Sequence, residues 1–579
     1  MSNIKRKPER FLGVITSGSF AKGLQARIRT LLPLEQIRIG QFVAIESAKV
    51  RFFGMINDVL LGATSQAVLL DPPTPDDDTP ALVREVLQGV YTYGEAHIQP
   101  SLALTEGEKT HTPVRSVPPH FTPVYLAEEE DFNEVFGAED ITQPEGRHFA
   151  IGRPLDMEID ICLDLERFVE RSNGIFGKSG TGKSVLTRLV LAGLVRGNVC
   201  ANLIFDMHNE YGEGSQSEGP NPWMRGLKSL FPTRVMVFSL RDRKPGSAPA
   251  RREQRTARSD GDLIIGLNQV EVEDILMLRH ELDLSPAAAD TAYLLQEKLG
   301  QNWLNKFLEM DLDEAAELSG AHEASLKALH RKLRAKVVNL PFIDKEAGLN
   351  QINLLVNALE NGRHVVVEFG SSDNLLSYIL VANIITRQIH DAYRQKFEKY
   401  NRTKNAADRP NRVMITIEEA HKFLTPEVAN QTIFGTIARE MRKYNVTLLV
   451  VDQRPSSIDN EILSQIGTRV VALINDERDI DAVFTGISGA SGLKTVLASL
   501  DSRQQALVLG HAAPMPVVIR TRSFDEQFCN QITKGLSALS PLKATPSSNG
   551  DHSDFDDWEE KVKEEWEEKV KKDESDLFE

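Results

Sequence analysis

Three observations predict an α/β fold on a parallel sheet, with a small β-barrel ahead of the sheet and a helical insertion within it. The first is a set of apolar runs: NLIFD (202–206), RVMVF (234–238), HVVVEF (364–369), RVMITI (412–417), VTLLVVD (446–452) and RVVALI (469–474). Near-continuous Val, Ile and Leu of this kind marks strands buried on both faces, and helical segments separate the runs. The second is a group of short segments near the start with partial apolar alternation. The third is a stretch from about 265 to 345 without β-type runs, with apolar residues three and four apart.

Taken in order, GVITSGSF (13–20), LQARIRT (24–30), IGQFVAIE (39–46) and RFFGMINDVLL (51–61) are broken by Gly and Pro and read as barrel strands. DPPTPDDDTP (71–80) is too rich in Pro and Asp for a strand interior and reads as a loop. GVYTYGEAHI and FTPVYLA extend the barrel domain over residues 1–150. The sheet domain then occupies 151–530, interrupted by the helical insertion, and 531–579 form a Ser/Pro-rich and then acidic flexible tail.

The chain has 579 residues, 41% hydrophobic and 26% charged, the balance of a soluble globular protein with several domains. No apolar stretch approaches the roughly 18 to 20 residues needed to cross a bilayer, so no membrane insertion is expected. MSNIKRKPERF lacks an apolar segment behind its charges and does not read as a secretory signal. Cys162, Cys200 and Cys529 have neither metal-ligand spacing nor the numbers of a disulfide framework, which fits a reducing cytoplasm. The net charge is −16, but residues 551–579 hold 14 Asp/Glu against 5 Lys, so −9 of it lies in the tail and −7 on the rest. Whole-chain charge therefore does not exclude nucleic acid as a partner.

GKSGTGKS (177–184) fits G-x-x-x-x-G-K-[ST], between the apolar NGIF and the helical VLTRLVLAGLV. In the loop Gly177, Lys178, Ser179, Gly180, Thr181, Gly182, Lys183 and Ser184, the glycines let backbone N–H groups approach the phosphates of ATP. Lys183 would reach the β and γ phosphates, and the Ser184 hydroxyl would meet Mg²⁺. A second strand ending in acid is then needed to hold the metal and activate water, and RVMITI runs into Glu418 and Glu419. Glu418 would act on Mg²⁺ directly or through its waters, and Glu419 would polarise the attacking water. Neighbouring strand residues face opposite ways, so the strand must end here for both to serve one site. Gln453, at the end of VTLLVV, can donate its amide to a γ-phosphate or to the lytic water. Asp206 follows another strand, with His208 and Glu210 close behind. It would support the metal-bound water or couple the site to a neighbour, or else serve its own loop.

With FDMHNEYG (205–212), IEEAHKF (417–423), IAREMRKYNVTLLVVDQRPSSID (437–459) and VLGHAAPMPVVIRTR (508–522) added to the P-loop, most of residues 1–525 resembles the HerA branch of the HerA/FtsK hexameric DNA-pumping ATPases. The resemblance implies a RecA-like P-loop ATPase core and a HerA-like assembly barrel. It implies a homohexamer that hydrolyses ATP to move double-stranded DNA, as a translocase or helicase working with a nuclease in end processing or antiphage defence. It places Gln453 at the sensor position. Arg439 and Arg442 share a helical face, and Arg171 lies just ahead of the P-loop strand. The family pattern favours Arg442 and Arg171 as trans or sensor arginines; structural ion pairing is the other reading for all three.

Two alternatives share the core: a HerA-like ring that serves as scaffold for a separate antiviral effector enzyme, and a protein-export ATPase of the type IV secretion kind. The stretch RDRKPGSAPARREQRTAR (241–258), with seven Lys/Arg against Asp242 and Glu253, would suit a phosphate-gripping pore loop or a solvated one. In the tail, WEEKVKEEWEEKVKKD (558–573) spaces Trp558, Val562, Trp566 and Val570 four apart. That spacing makes one apolar stripe on a charged helix, an anchor for a basic groove if it is not simply a solubilising tail.

Overall fold

The structure, a computed structural model, describes residues 6–536 except 20–21, 31, 65–69, 71–91, 106–110, 141, 143–145, 156, 217–222, 242–258, 347–349, 373, 406–407, 428, 430–431, 488–490, 499 and 501–503. The loop at 71–80, the basic stretch beyond Arg241 and the acidic tail thus lie outside the described residues. The described chain divides into two compact units, the first holding Met1–Phe205, Gly214–Leu230 and Arg412–Lys534, the second Asp206–Glu213 and Phe231–Asn411 with the remainder.

In the first unit, β1 (Phe11–Ser19), β2 (Gly23–Ile28), β3 (Phe42–Glu46), β4 (Val50–Ala63), β5 (Thr92–Thr105) and β6 (Pro123–Leu126) form an antiparallel barrel in the order β2-β1-β6-β3-β4-β5. Pairing of β2 with β5, from Leu24↔Ile98 to Arg27↔Glu95, closes it. Alternation puts Leu12, Ile15, Val43, Ile45, Phe52, Ile56, Ile98 and Val124 inside. Closure needs bends, and β4 slips register against β5 between Phe53 and Gly54 and again between Ile56 and Asp58. At Gly13 the strands cross so closely that a Cβ would lie 2.0 Å from the Arg27 carbonyl oxygen, so only glycine fits.

The same unit carries β7 (His148–Arg153), β8 (Ile161–Asp164), β9 (Asn173–Phe176), β10 (Ala201–Asp206), β11 (Val413–Glu418), β12 (Val446–Asp452), β13 (Thr468–Val471), β14 (Gln505–Gly510) and β15 (Val517–Thr521). They lie in the order β10-β11-β12-β9-β13-β14-β15-β7-β8. From β10 to β13 all pairs are parallel, as the apolar runs predict. Beyond β13 the sheet turns antiparallel. The links 511–516 and 154–160 are too short for a parallel crossover, which takes a dozen or more residues. The helix α1 (Lys183–Gly197) follows β9 and buries every residue from Leu186 to Gly197.

In the second unit Val235–Leu240 pairs in parallel with Gly261–Leu263 on one side and His364–Glu368 on the other. Between them five α-helices run from Val272–Met277 to Glu323–Leu333, ending in a π-helical turn at Arg334–Val338. Ser285 and Asp311 cap two of these helices by accepting the N–H of Ala288 and Asp313. The buried Trp303 donates its indole N–H to the Val270 carbonyl at 3.1 Å. Asp274, fully buried, pairs with Arg387 at 2.8 Å. Among the described residues no helix is long and apolar enough to cross a membrane.

Candidate nucleotide site

The P-loop leaves the C-terminal end of β9 between the ends of β12 and β13, and its first residues are tied to both. The Gly177 N–H donates to the Asp452 carbonyl at 3.3 Å and the Lys178 N–H to the Leu473 carbonyl at 3.2 Å. A Cβ on Gly177 would lie 2.9 Å from that of Ala472, so the loop lies against β13 only as glycine. The Thr181 hydroxyl donates back to the Lys178 carbonyl at 2.7 Å, closing the loop on itself. Gly180 and Gly182 have φ of 79° and 92°, and space is open where their Cβ atoms would be. Left-handed backbone at these two positions turns the chain into α1, whose first N–H groups have no partner within the helix and face the loop mouth.

Glu418 is the last residue of β11 and its side chain is buried. Glu419 leaves the strand with φ 48° and ψ 44°, a left-handed conformation that costs a non-glycine residue on the order of 1–3 kcal/mol. That step resolves the problem of two adjacent carboxylates on opposite strand faces, because it swings Glu419 off the pleat. Its Oε1 accepts the Gln453 amide at 3.2 Å and lies 3.9 Å from Lys183 Nζ. Lys183, Glu419 and Gln453, from three different elements, therefore meet.

The contortion at Glu419 is held by residues to which sequence reasoning gave no role. Asp452, fully buried at the end of β12, accepts the His421 backbone N–H at 2.7 Å and its Nδ1 at 3.0 Å, and the Arg454 N–H at 2.7 Å. Burial works to raise this carboxyl. The His421 imidazole, by hydrogen bond and charge, and the two backbone N–H groups outweigh it and hold Asp452 below the usual carboxylate range. The signal was present in the sequence as an acid closing VTLLVVD directly before Gln453, with a histidine two residues after Glu419.

Other predicted residues lie elsewhere. Arg171 precedes β9 by two residues whereas the P-loop follows it, so the strand, roughly 13 Å long at the usual rise, separates them. Arg439 lies in the last turn of α2 (Ile433–Glu440), which leads into the N-terminal end of β12, and its Nε donates to Glu461 at 3.2 Å. Arg171 and Arg439 share the lining of a cleft of about 450 Å³ with Arg469 and His511. The Arg442 side chain lies outside the described residues. The Asp206 carboxylate, fully buried, turns onto its own loop and accepts the N–H groups of Glu210 (2.8 Å), Tyr211 (2.7 Å) and Gly212 (3.2 Å). Burial, against those three donors, pushes its pKa up to about 6.

The donor set fits Mg²⁺. Ser184 at the start of α1 and the buried carboxylate of Glu418 offer hard oxygen ligands, and this ion commonly takes one or two protein oxygens with phosphate and water completing its shell. Among the described residues there is no cluster of three or more His, Cys, Asp or Glu suited to a metal held by protein alone.

A parallel sheet, a phosphate loop at a strand end and an acid pair on a nearby strand define a P-loop ATPase. Residues 149–389 match the family described as the central domain of the helicase HerA. Over 537 residues the chain is 24% identical to the DNA double-strand break repair helicase HerA of Sulfolobus acidocaldarius, spanning 90% of this chain and 96% of that one. The helicase of the same name from Saccharolobus solfataricus is 22% identical over 509 residues, 86% of this chain and 90% of its own. Among solved structures, VirB4 of Thermoanaerobacter pseudethanolicus is similar over 65% of this chain and 97% of its own, with 15% identity and a TM-score of 0.40. The chain is thus a P-loop ATPase that is similar to HerA-type helicases over most of its length.

The raised pKa of Asp206 has a signed consequence. Between about pH 4 and pH 6 the folded protein keeps a proton that the unfolded chain, with its carboxyl near 3.9, has released, so this group's contribution to stability declines as pH rises through that window. Asp206→Asn cannot ionise. The thermal midpoint of the wild type, measured against that of the variant, is expected to fall from about pH 4 to pH 6 and to level off above; parallel curves would contradict the assignment.

Proposed function

We propose that this protein assembles as a homohexameric ring that hydrolyses ATP with Mg²⁺ to move double-stranded DNA, working beside a nuclease or another effector protein. The observation that carries the reading is the meeting of Lys183, Glu419 and Gln453 at the mouth of a phosphate loop. The names of the relatives, DNA double-strand break repair helicases, support DNA as the substrate that is moved. The resemblance in the motifs supports the ring and the effector.

In this mechanism the open N–H groups of the loop and α1 cradle the phosphates, and Lys183 neutralises the β and γ oxygens. Bound Mg²⁺, held by Ser184 and Glu418, would supply further charge neutralisation there. Glu419 accepts the proton of the attacking water, and Gln453, already within 3.2 Å of that carboxylate, orients water and base together. Arg171 sits beyond the far end of β9 from its own loop and has no carboxylate partner among the described residues. Such a residue is suited to a neighbour's γ-phosphate across a ring interface. Arg442 is the second candidate for that role, and Arg439, already paired with Glu461, the third.

Lys183→Ala is expected to abolish nucleotide binding, whereas Glu419→Gln should bind ATP normally and lose turnover by about 100-fold or more, read by equilibrium binding and steady-state hydrolysis. Loss of binding in Glu419→Gln with turnover retained in Glu418→Gln would reverse the roles of the pair. Linear duplex DNA should raise the hydrolysis rate, and the effect should weaken with added salt. A rate indifferent to duplex DNA would replace translocation with the scaffold reading. Rings mixed from Arg171→Ala and Lys183→Ala subunits should regain activity that neither has alone, because an intact loop then faces an intact arginine; mixed rings of verified composition that stay inactive would place Arg171 in its own subunit's site.

A further inference from the structure

The cleft at the N-terminal ends of β9 and β13 contains three arginines in different states. Arg469 is buried and directs its two terminal guanidinium nitrogens to the carbonyls of Leu463, Val483 and Thr485. Arg439 is paired with Glu461. Arg171 is exposed, with no carboxylate partner among the described residues, yet its segment is heavily braced. Asn173, fully buried, donates to the carbonyls of Phe168 (2.6 Å) and Arg171 (2.8 Å) and accepts the Thr468 N–H at 3.1 Å. Ser172 accepts the Leu448 N–H on its hydroxyl at 3.1 Å and the Gly467 N–H on its carbonyl at 2.7 Å. Glu170 pairs with His511 Nε2 at 2.7 Å.

Gly467 is the floor of this arrangement. A Cβ there would lie 2.7, 3.2 and 2.8 Å from Cβ, Cγ and Cδ of Arg171, so the arginine stem lies flat across the glycine. Gly467 itself is bonded on both sides, its N–H to Ser172 and its carbonyl to the His511 N–H at 2.8 Å. Its backbone is not left-handed, so glycine is required for the space above it and not for its conformation. Added volume at 467 would meet a backbone held at both ends and would displace the Arg171 stem.

We infer that Gly467 and the Glu170–His511 pair are positioning residues that hold Arg171 in one direction across the cleft. The inference rests on the reading that Arg171 serves hydrolysis at a neighbouring subunit's nucleotide. A side chain that must meet a transferring phosphoryl group gains from being fixed beforehand, and a misplacement of about 1 Å at a reacting centre costs on the order of 100-fold in rate. The bracing bonds are made to the backbone and to Glu170, which leaves the guanidinium without a carboxylate partner among the described residues.

The test compares Arg171→Ala, Gly467→Ala, His511→Ala and the double variant Arg171→Ala/Gly467→Ala in the full-length protein, by kcat, KM for ATP and thermal midpoint. Arg171→Ala and Gly467→Ala should both lower kcat, the second by on the order of 10- to 100-fold, with KM little changed. The double variant should be no slower than Arg171→Ala alone, because Gly467 acts only through that side chain. His511→Ala removes the contact with Glu170 without adding volume and should lower kcat in the same direction, so the test stands even if Gly467→Ala fails to fold. A wild-type kcat in Gly467→Ala and His511→Ala alongside an impaired Arg171→Ala would overturn the positioning role and leave the role of Arg171 intact. Additive losses in the double variant would also overturn it. An unimpaired Arg171→Ala would instead overturn the underlying reading, and the positioning role with it.

Discussion

Asp452 is the residue through which the nucleotide site is held together. Its carbonyl receives the first N–H of the phosphate loop, and its carboxylate receives the N–H of the turn after Glu419 and that of the segment after Gln453. The phosphate loop, the turn after Glu419 and the segment after Gln453 are thus referred to a single position at the end of β12. A buried carboxylate without donors would cost several kcal/mol in desolvation, and hydrogen bonds to a charged group return roughly 1.5–3 kcal/mol each. With two backbone donors and an imidazole, Asp452 stays ionised and rigid. That rigidity is what allows Glu419 to be kept in a left-handed conformation it would not adopt by itself.

Asp206 shows how much the donor set matters. It too is buried at a strand end and takes three backbone N–H bonds, yet its pKa moves up and that of Asp452 moves down. Burial is the largest influence on both carboxyls, and they differ in what opposes it. Asp452 has the His421 imidazole against its oxygens, whereas Asp206 has the negative charge of Glu210 nearby. Three N–H groups alone do not offset complete burial in this protein. The first carboxylate is suited to hold a fixed negative charge, the second to organise a loop.

Strand direction divides the chemistry of the first unit into two ends. Parallel pairing of β11, β12, β9 and β13 puts the phosphate loop, the acid pair and Gln453 at the C-terminal ends. The same pairing puts Arg171, Gly467 and the turn from α2 at the N-terminal ends. The phosphate loop and Arg171 therefore lie at opposite ends of the same parallel strands. The antiparallel strands beyond β13 contribute His511 to the arginine-bearing edge, because β14 runs back toward the start of β13.

The sequence by itself determined the features that depend on neighbours along the chain. Six apolar runs specified buried strands, and alternation broken by Gly and Pro specified the barrel; both are borne out, since each follows from side-chain periodicity within one segment. GKSGTGKS between NGIF and a helical run was legible for the same reason, as strand, loop and helix are contiguous. Adjacency of Glu418 and Glu419 was legible, but the left-handed turn that separates their directions was not. That turn is stabilised by Asp452, 33 residues beyond Glu419, and nothing local favours it. Likewise an arginine ahead of a strand can be read, while its place opposite the loop, its neighbours Gly467 and His511, and the pairing of Arg439 with Glu461 come from segments hundreds of residues apart or from helix packing. The tertiary structure decided these because hydrogen bonds and van der Waals contacts act over a few ångströms of space, whatever the distance along the chain.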